Sequence, residues 1–176
     1  SSSEPFYNKD DAKNAKRILD NNDSTYNVIF KCSPTEKNKN KKMKLYKYTN
    51  GYLLIPNKTS TYYGMERLNK GVWCNDVEGW FYDKKEYDNL IENGYTLSDK
   101  YKIDYSIYNM NTLEVYFYNK GFVLSPNKDY KYYGQKYLIG GKWCDSLKGW
   151  VFSNIKKYNK FIKLGAIDHD TSTFME

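Results

Sequence analysis

The sequence is poor in the side chains that most catalytic and metal sites require. It contains a single histidine and three cysteines, and no two cysteines form a Cys-x-x-Cys pair. A structural zinc site takes about four Cys or His ligands, and a Ser-His-Asp or Cys-His set needs a histidine beside its nucleophile. The histidine, His169, precedes Asp170, and we interpret the two as part of a polar tail. We therefore expect no enzyme, no metal site and no cofactor.

Arginine and long apolar runs are also scarce. The 28 basic residues include only two arginines, Arg17 and Arg67. The others are lysines, which lack the planar fork that reads guanine edges, so base-specific reading of duplex DNA is disfavoured. No apolar stretch approaches the roughly 18 residues of a membrane-spanning helix, and no signal peptide is recognisable. We expect an intracellular protein with no membrane partner.

Aromatic rings and positive charge are abundant. The chain has 20 Tyr, 8 Phe and 4 Trp, and its formal net charge is +7. Each ring can bury about 150–250 Å², so rings must supply much of the core, and a surplus can remain at the surface. Positive charge favours an anionic partner such as nucleic acid. The alternative is that an A+T-rich genome enriches Lys, Asn, Tyr and Ile without a functional cause.

An internal repeat organises the chain. Residues 46–82 align without a gap with residues 116–152, at an offset of 70 residues. The identical pairs are Tyr46/Tyr116, Tyr48/Tyr118, Gly51/Gly121, Leu54/Leu124, Pro56/Pro126, Asn57/Asn127, Lys58/Lys128, Tyr62/Tyr132, Tyr63/Tyr133, Gly64/Gly134, Leu68/Leu138, Gly71/Gly141, Trp73/Trp143, Cys74/Cys144, Gly79/Gly149 and Trp80/Trp150. Chance does not produce this agreement, so the chain contains two homologous units.

Each unit predicts two β-hairpins and a helix. The predicted strands are 46–48, 52–55, 72–74 and 79–82 in the first unit and 115–118, 122–125, 142–144 and 149–152 in the second. The dipeptide Asn50-Gly51 is a strong hairpin-turn signal. Apolar residues at helical spacing predict helices near 84–92 and 155–163. The predicted fold class is α+β, with two homologous units of short antiparallel hairpins followed by one helix, arranged as a pseudo-symmetric pair.

The remaining segments complete the predicted division of the chain. Residues 1–44 form an N-terminal part with a helix at 9–19, a strand at 26–32 and a basic loop at 37–44. The first unit is 45–95, the second is 101–166, and 167–176 are a tail. Alternation of Tyr101, Ile103, Tyr105 and Ile107 predicts a further strand at 101–108.

One stretch of the second unit resembles a repeat found in a group of viral proteins. It reads Gly140-Gly141-Lys142-Trp143 and, after a short turn, Lys148-Gly149-Trp150-Val151-Phe152. This pattern resembles a poorly characterised repeat of nucleocytoplasmic large DNA viruses. The first unit departs from it at Lys70 and Val72. The resemblance covers about half the chain and implies a small α+β repeat of a giant virus, with no functional residue to carry over.

The four tryptophans are the first candidates for a binding site. Trp73 and Trp80 flank a tight hairpin, as do Trp143 and Trp150. A base stacked on an aromatic ring gains about 1–3 kcal/mol, and two rings can sandwich one base. A cationic base, such as the methylated guanine of an mRNA cap, would also gain cation–π attraction. The alternative is that these rings belong to the core.

Loop tyrosines and repeated lysines are further candidates. Tyr63 and Tyr133 lie in predicted loops, while Lys58, Lys128 and Lys142 could hold phosphate. The alternatives are a structural ring and solvated lysines. We predict unequal units, because Val72 replaces Lys142 and Glu78 replaces Lys148.

Cys74 and Cys144 occupy equivalent positions in the two units. They form either a disulfide or two small packing residues in a reducing compartment.

These features predict a non-catalytic module that binds nucleic acid or nucleotides. Single-stranded RNA or an mRNA 5′ cap-like nucleotide is favoured over duplex DNA. The alternative is a protein-interaction or structural module of a viral complex or particle, whose partners are viral or host proteins. An enzyme of unrecognised type is a third hypothesis. The expected location is the host cytoplasm, a viral factory or the virion.

Overall fold

The computed structural model describes residues 42–169. The predicted helix at 9–19, the predicted strand at 26–32 and most of the basic loop at 37–44 lie outside the described residues. Within them the protein is mixed α+β, with two six-stranded sheets and short helical segments. This arrangement is consistent with two similar units.

The first sheet is built from residues 44–100. Its strands are β1 (Lys44–Tyr48), β2 (Gly51–Ile55), β3 (Arg67–Leu68), β4 (Gly71–Cys74), β5 (Gly79–Asp83) and β6 (Leu97–Lys100), in the order β3-β4-β5-β2-β1-β6. Neighbours pair antiparallel except β1 and β6, which are parallel. A 3₁₀ turn (Lys84–Glu86) and helix α1 (Tyr87–Glu92) connect β5 to β6.

The second sheet repeats this order of strands. It contains β7 (Glu114–Tyr118), β8 (Gly121–Ser125), β9 (Tyr137–Leu138), β10 (Gly141–Cys144), β11 (Gly149–Phe152) and β12 (Ile167–Asp168), in the order β12-β7-β8-β11-β10-β9. A 3₁₀ turn (Ile155–Lys157) and helix α2 (Tyr158–Lys163) again precede the last strand, which pairs parallel to β7. The sheets therefore use residues 97–100 and 167–168, beyond the predicted limits of the units.

The first hairpin of the first unit turns one residue earlier than its Asn50-Gly51 dipeptide suggests. Tyr48 pairs with Gly51, so Thr49 and Asn50 form the two-residue turn, and Thr49 takes a φ of 46°. Gly51 is itself a strand residue, and an added Cβ there would collide with the carbonyl oxygen of Tyr82. The glycine is needed for close approach of two strands, and not for a positive φ.

The predicted strand at 101–108 is wrong. Residues 101–104 are irregular, and Tyr105–Tyr108 form a 3₁₀ turn. Asp104 causes the change, because its carboxylate accepts hydrogen bonds from the backbone N–H and the hydroxyl of Ser106. Such a local bond offers the backbone an alternative to a strand ladder. The turn ends at Asn109, whose φ of 48° is left-handed.

Each sheet carries apolar side chains on both faces, and its helix covers only one. In the first sheet the helix-side core contains Met43, Leu45, Leu54, Leu68, Trp80, Tyr82, Leu90 and Tyr95. The other face, here called the junction face, contains Tyr48, Leu53, Cys74, Val77 and Phe81. It is covered by Tyr101 and Ile103 of the connecting segment and by Tyr137 of the second unit. The second unit is therefore part of the first unit's core.

Stacked and edge-on aromatic rings form the core of the second unit, and their contribution to stability can be tested. Phe122 is fully buried, stacks on Phe152 at 4.7 Å and meets Phe161 edge-on. Phe122→Ala should lower the free energy of unfolding by about 3–5 kcal/mol, because both the burial and the space it fills are lost. Phe117→Ala is the matched control, since Phe117 is 54% exposed and should cost less. Equal losses in urea titrations of both variants would contradict this packing.

Candidate functional site

The tryptophans of each unit face each other across the second hairpin. Trp73 pairs with Trp80 in the β4–β5 register, and Trp143 pairs with Trp150 in the β10–β11 register. Both pairs have ring centroids 4.9 Å apart with the planes near 70° to each other. A sandwiched base needs parallel rings with a gap between them. These rings touch edge-on, so neither pair can sandwich a base.

Trp80 and Trp150 are core residues. Both are fully buried, and their indole N–H groups donate 2.7 Å hydrogen bonds to the carbonyl oxygens of Met65 and Gln135. A buried indole needs such a partner, and here it ties the hairpin to the preceding loop. Trp80 and Trp150 therefore have no open face on which a base could stack, and their role is structural.

The outer ring of each pair stays half-buried beside a loop tyrosine. Trp73 contacts Tyr63 at 5.0 Å, and Trp143 contacts Tyr133 at 4.9 Å, both edge-on. All four rings keep part of their surface open to solvent. The structure thus brings together the predicted residues Tyr63 with Trp73 and Tyr133 with Trp143, as one partly exposed aromatic pair in each unit.

The electrostatic surroundings of the two aromatic pairs differ. Glu78 lies beside the first pair: burial and a hydrogen bond with Glu78 raise the pKa of Tyr63, and Lys58 lies 4.0 Å from the same carboxylate. Lys148 stands at the equivalent position in the second unit, where it pairs with Asp145 at 3.1 Å. Lys128 is exposed. A carboxylate therefore lies beside each pair: Glu78 at the first, and Asp145, which is hydrogen-bonded to the Trp143 side chain, at the second.

The two repeated cysteines are not bonded to each other. Cys74 and Cys144 are free thiols, so the disulfide alternative is excluded. Cys74 is buried in the junction face, where burial raises the pKa of its thiol. Cys144 is half-buried, and a hydrogen bond with Ser146 lowers the pKa of its thiol.

A largely buried carboxylate joins the two units. Asp76, in the β4–β5 turn, accepts a 2.6 Å hydrogen bond from the hydroxyl of Tyr108 and a 2.8 Å bond from the side-chain amide of Gln135. The backbone N–H of Asn75 donates to the other end of the same amide at 3.0 Å. A signal for this contact was present in the sequence. Asp76 aligns with Ser146 and Gln135 aligns with Met65, so both residues differ between the two units.

Lys142 lies in a cleft between the units. The cleft has a volume of about 380 Å³. Its lining comes from Asn50, Phe81 and Asp83 of the first unit and from Tyr137, Gly140, Lys142, Trp143, Cys144, Val151 and Ser153 of the second. The rings of Phe81 and Tyr137 touch at 4.6 Å, and the amide of Asn50 donates to the carbonyl oxygen of Gly140 at 3.2 Å. These contacts fix the position of one wall of the cleft relative to the other.

Residues 42–169 contain no group of three His, Cys, Asp or Glu side chains that could hold a metal ion. None of the helices in the same range is long and apolar enough to cross a membrane. His169 lies 3.6 Å from the carboxylate of Glu114 and near the ring of Tyr116, so it belongs to the edge of the second sheet.

The titration of Asp76 is the second testable prediction. Burial raises the pKa of this carboxyl, while hydrogen bonds from Tyr108 and Gln135 lower it in part. In a carboxyl-carbon NMR titration Asp76 should ionise above its ordinary value of about 3.9. Tyr108→Phe should raise that pKa further. Asp145, whose pKa is lowered by Lys148, is the control and should not move.

Because folding raises the pKa of Asp76, the stability of the protein depends on pH. A folded-state pKa above the unfolded value means that the folded chain prefers the protonated form. The contribution of Asp76 to stability is therefore largest below the unfolded pKa, and it declines as the pH rises through the folded pKa. An Asp76 pKa at or below the ordinary value would contradict the prediction, because burial would then not outweigh the hydrogen bonds from Tyr108 and Gln135.

Comparisons with protein-family models, with curated proteins and with solved structures give no match to this chain. Any function must therefore be argued from the residues themselves.

Proposed function

We propose that this protein is a non-catalytic nucleic-acid-binding module that holds single-stranded RNA or a cap-like nucleotide through exposed aromatic rings and lysines. The observation that carries the proposal is the half-buried pair Tyr133 and Trp143. These rings are fixed by a hairpin and by the buried Trp150, yet they keep part of their surface open to solvent. Base stacking on such rings is tolerant of sequence.

The charge distribution supports the second unit as the main contact. Lys142 and Lys148 are exposed there, whereas Val72 and Glu78 occupy the equivalent positions of the first unit. Lys128 is exposed and Lys58 lies near Glu78. Lys148 is paired with Asp145, so the exposed Lys142 in place of Val72 is the charge that favours an anionic strand at the second unit.

Single strands are favoured over duplexes by the type of cation. Arg67 is the one arginine among residues 42–169, and the other cations there are lysines. Lysine attracts phosphate as a point charge but cannot read guanine edges bidentately. The binding mode that these residues support is base stacking together with attraction of the phosphate backbone. A cap-like base would stack on one face of a single ring, because the paired tryptophans leave no gap between them.

The wider setting belongs to the same proposal. The two units form a pseudo-symmetric pair in which each set of hairpins is followed by a helix. The Gly-Gly-Lys-Trp stretch that resembles giant-virus repeats suggests a viral protein, acting in the host cytoplasm, a viral factory or the virion.

A second candidate function is protein interaction within a viral complex. Several large apolar side chains of the second unit are exposed: Phe117, Tyr118, Ile155, Leu164 and Ile167. Phe117 is 54% exposed and stacks on Tyr158 at 4.5 Å. A patch of this kind can be covered by a protein partner.

Replacing one loop ring tests the first function. Tyr133→Leu keeps apolar bulk at the edge of Trp143 but removes the aromatic face. Binding of a labelled single-stranded oligouridylate, followed by fluorescence anisotropy, should weaken by about 1–3 kcal/mol if a base stacks there. The melting temperature should change little, because the tyrosine lies at the surface of the hairpin.

The equivalent change in the first unit is the matched control. Tyr63→Leu should have a smaller effect on binding, because Val72 and Glu78 of the first unit replace Lys142 and Lys148 of the second. Two equal binding sites per chain, or equal losses in the two variants, would contradict the inequality of the units. Absence of salt-dependent binding of the oligouridylate to the unchanged protein would reject the function itself.

A further inference from the structure

Three cations from the two units converge beside Tyr137. Lys142 faces Tyr137 in the β9–β10 register, and the ammonium of Lys136 lies 5.7 Å from the centre of the Tyr137 ring. Arg67 of the first unit is close enough that its charge acts on both Lys136 and Tyr137. Burial, Arg67 and Lys142 together lower the pKa of Lys136. The fold therefore holds like charges together at the junction.

Three cations and one carboxylate, Asp83, lie around Tyr137 and the cleft. None of Arg67, Lys136 and Lys142 forms an ion pair within 4.0 Å of a carboxylate among the described residues. The cations therefore outnumber the carboxylate, and Asp83 does not pair directly with any of them. Like charges repel unless a counter-charge joins them, so the arrangement is suited to an anion supplied from outside.

We propose that the cleft between the two units is a phosphate-binding site, in which Lys142 of the lining binds the phosphate and Lys136 and Arg67 add positive charge beside Tyr137. Its ligand is the phosphate of a nucleotide or of a nucleic-acid strand. That the ligand belongs to a nucleic acid rests on the proposed function. That the cleft binds phosphate rests only on the residues in and around it.

The shape of the cleft fits such a ligand. Its volume of about 380 Å³ lies at the lower end of the range for small-molecule sites, roughly 300–1,000 Å³. Trp143 contributes to the lining, and its indole also contacts Tyr133. Lys142 and Trp143 are consecutive residues of β10, so their side chains lie on opposite faces of the second sheet, and the phosphate site is separate from the stacking pair.

The site exists only when the units are docked. Its walls come from both sheets, and Gly140 lies so close to Thr49 that an added Cβ would fall 2.7 Å from the threonine hydroxyl. Lys70 occupies the position of Gly140 in the first unit. Gly140 therefore allows the second unit to approach Thr49 closely. Its counterpart in the first unit, Lys70, carries a long side chain.

The experiment compares two double variants that remove the same charge. Lys136→Ala with Lys142→Ala removes the ammonium group that lines the cleft and the one beside Tyr137. Lys156→Ala with Lys163→Ala removes two exposed lysines from the segment of α2, which packs on the opposite face of the second sheet. Each protein is titrated with inorganic pyrophosphate, followed by amide chemical shifts, and with the labelled oligouridylate at several salt concentrations.

The cleft variant should lose the pyrophosphate-induced shifts of residues that line the cleft, and the α2 variant should keep them. For the oligouridylate, the slope of log Kobs against log salt should fall by about 1.4 in the cleft variant, because two phosphate contacts disappear. The α2 variant should keep the slope of the unchanged protein.

The outcomes separate the two proposals. Oligouridylate binding that both double variants weaken equally would overturn the cleft and leave the proposed function standing. Pyrophosphate binding lost only in the cleft variant, with no oligouridylate binding by any protein, would support the phosphate site and reject the nucleic-acid function. Pyrophosphate shifts that persist in the cleft variant would overturn the site.

Discussion

Every later feature of this structure depends on one constraint: each sheet has two apolar faces and one short helix to cover them. The helix side of the first sheet is filled by Trp80, Leu54 and their neighbours. Its other face would expose Leu53 and Phe81 if nothing else lay on it. The connecting segment and Tyr137 of the second unit cover it instead. Burial of this face therefore determines how the two units meet.

The same docking explains why two similar sequences play different roles. At the junction Asp76 receives hydrogen bonds from Tyr108 and Gln135, and these side chains have no counterpart at the repeated positions. A buried carboxylate is costly unless it is hydrogen-bonded, so this pairing favours one relative orientation of the units. The orientation places β9 beside β4 and creates the cleft that holds Lys142. Divergence of the copies thus accompanies a new surface that neither copy has alone.

Residue patterns predicted the hairpins well because their signals are local. Alternation and turn residues located strands such as β4 and β5 within a residue, and cross-strand pairing of Trp73 with Trp80 follows from the short turn. The strand predicted at 101–108 failed because Asp104 forms a capping hydrogen bond that competes with the ladder. The stacking role of Trp80 failed for a different reason. A repeated tryptophan shows that the ring matters, but only packing shows whether its faces are open.

By itself the sequence determined that the chain is duplicated, that rings build much of its core, and that its charge is positive and carried by lysine. These properties depend on composition and on short-range periodicity, which need no knowledge of distant neighbours. Only the tertiary structure decided which rings stay at the surface, that Cys74 and Cys144 remain free, and that Arg67, Lys136 and Lys142 lie near Tyr137. Those outcomes depend on contacts between residues far apart in the chain, which form only when one unit covers the open face of the other.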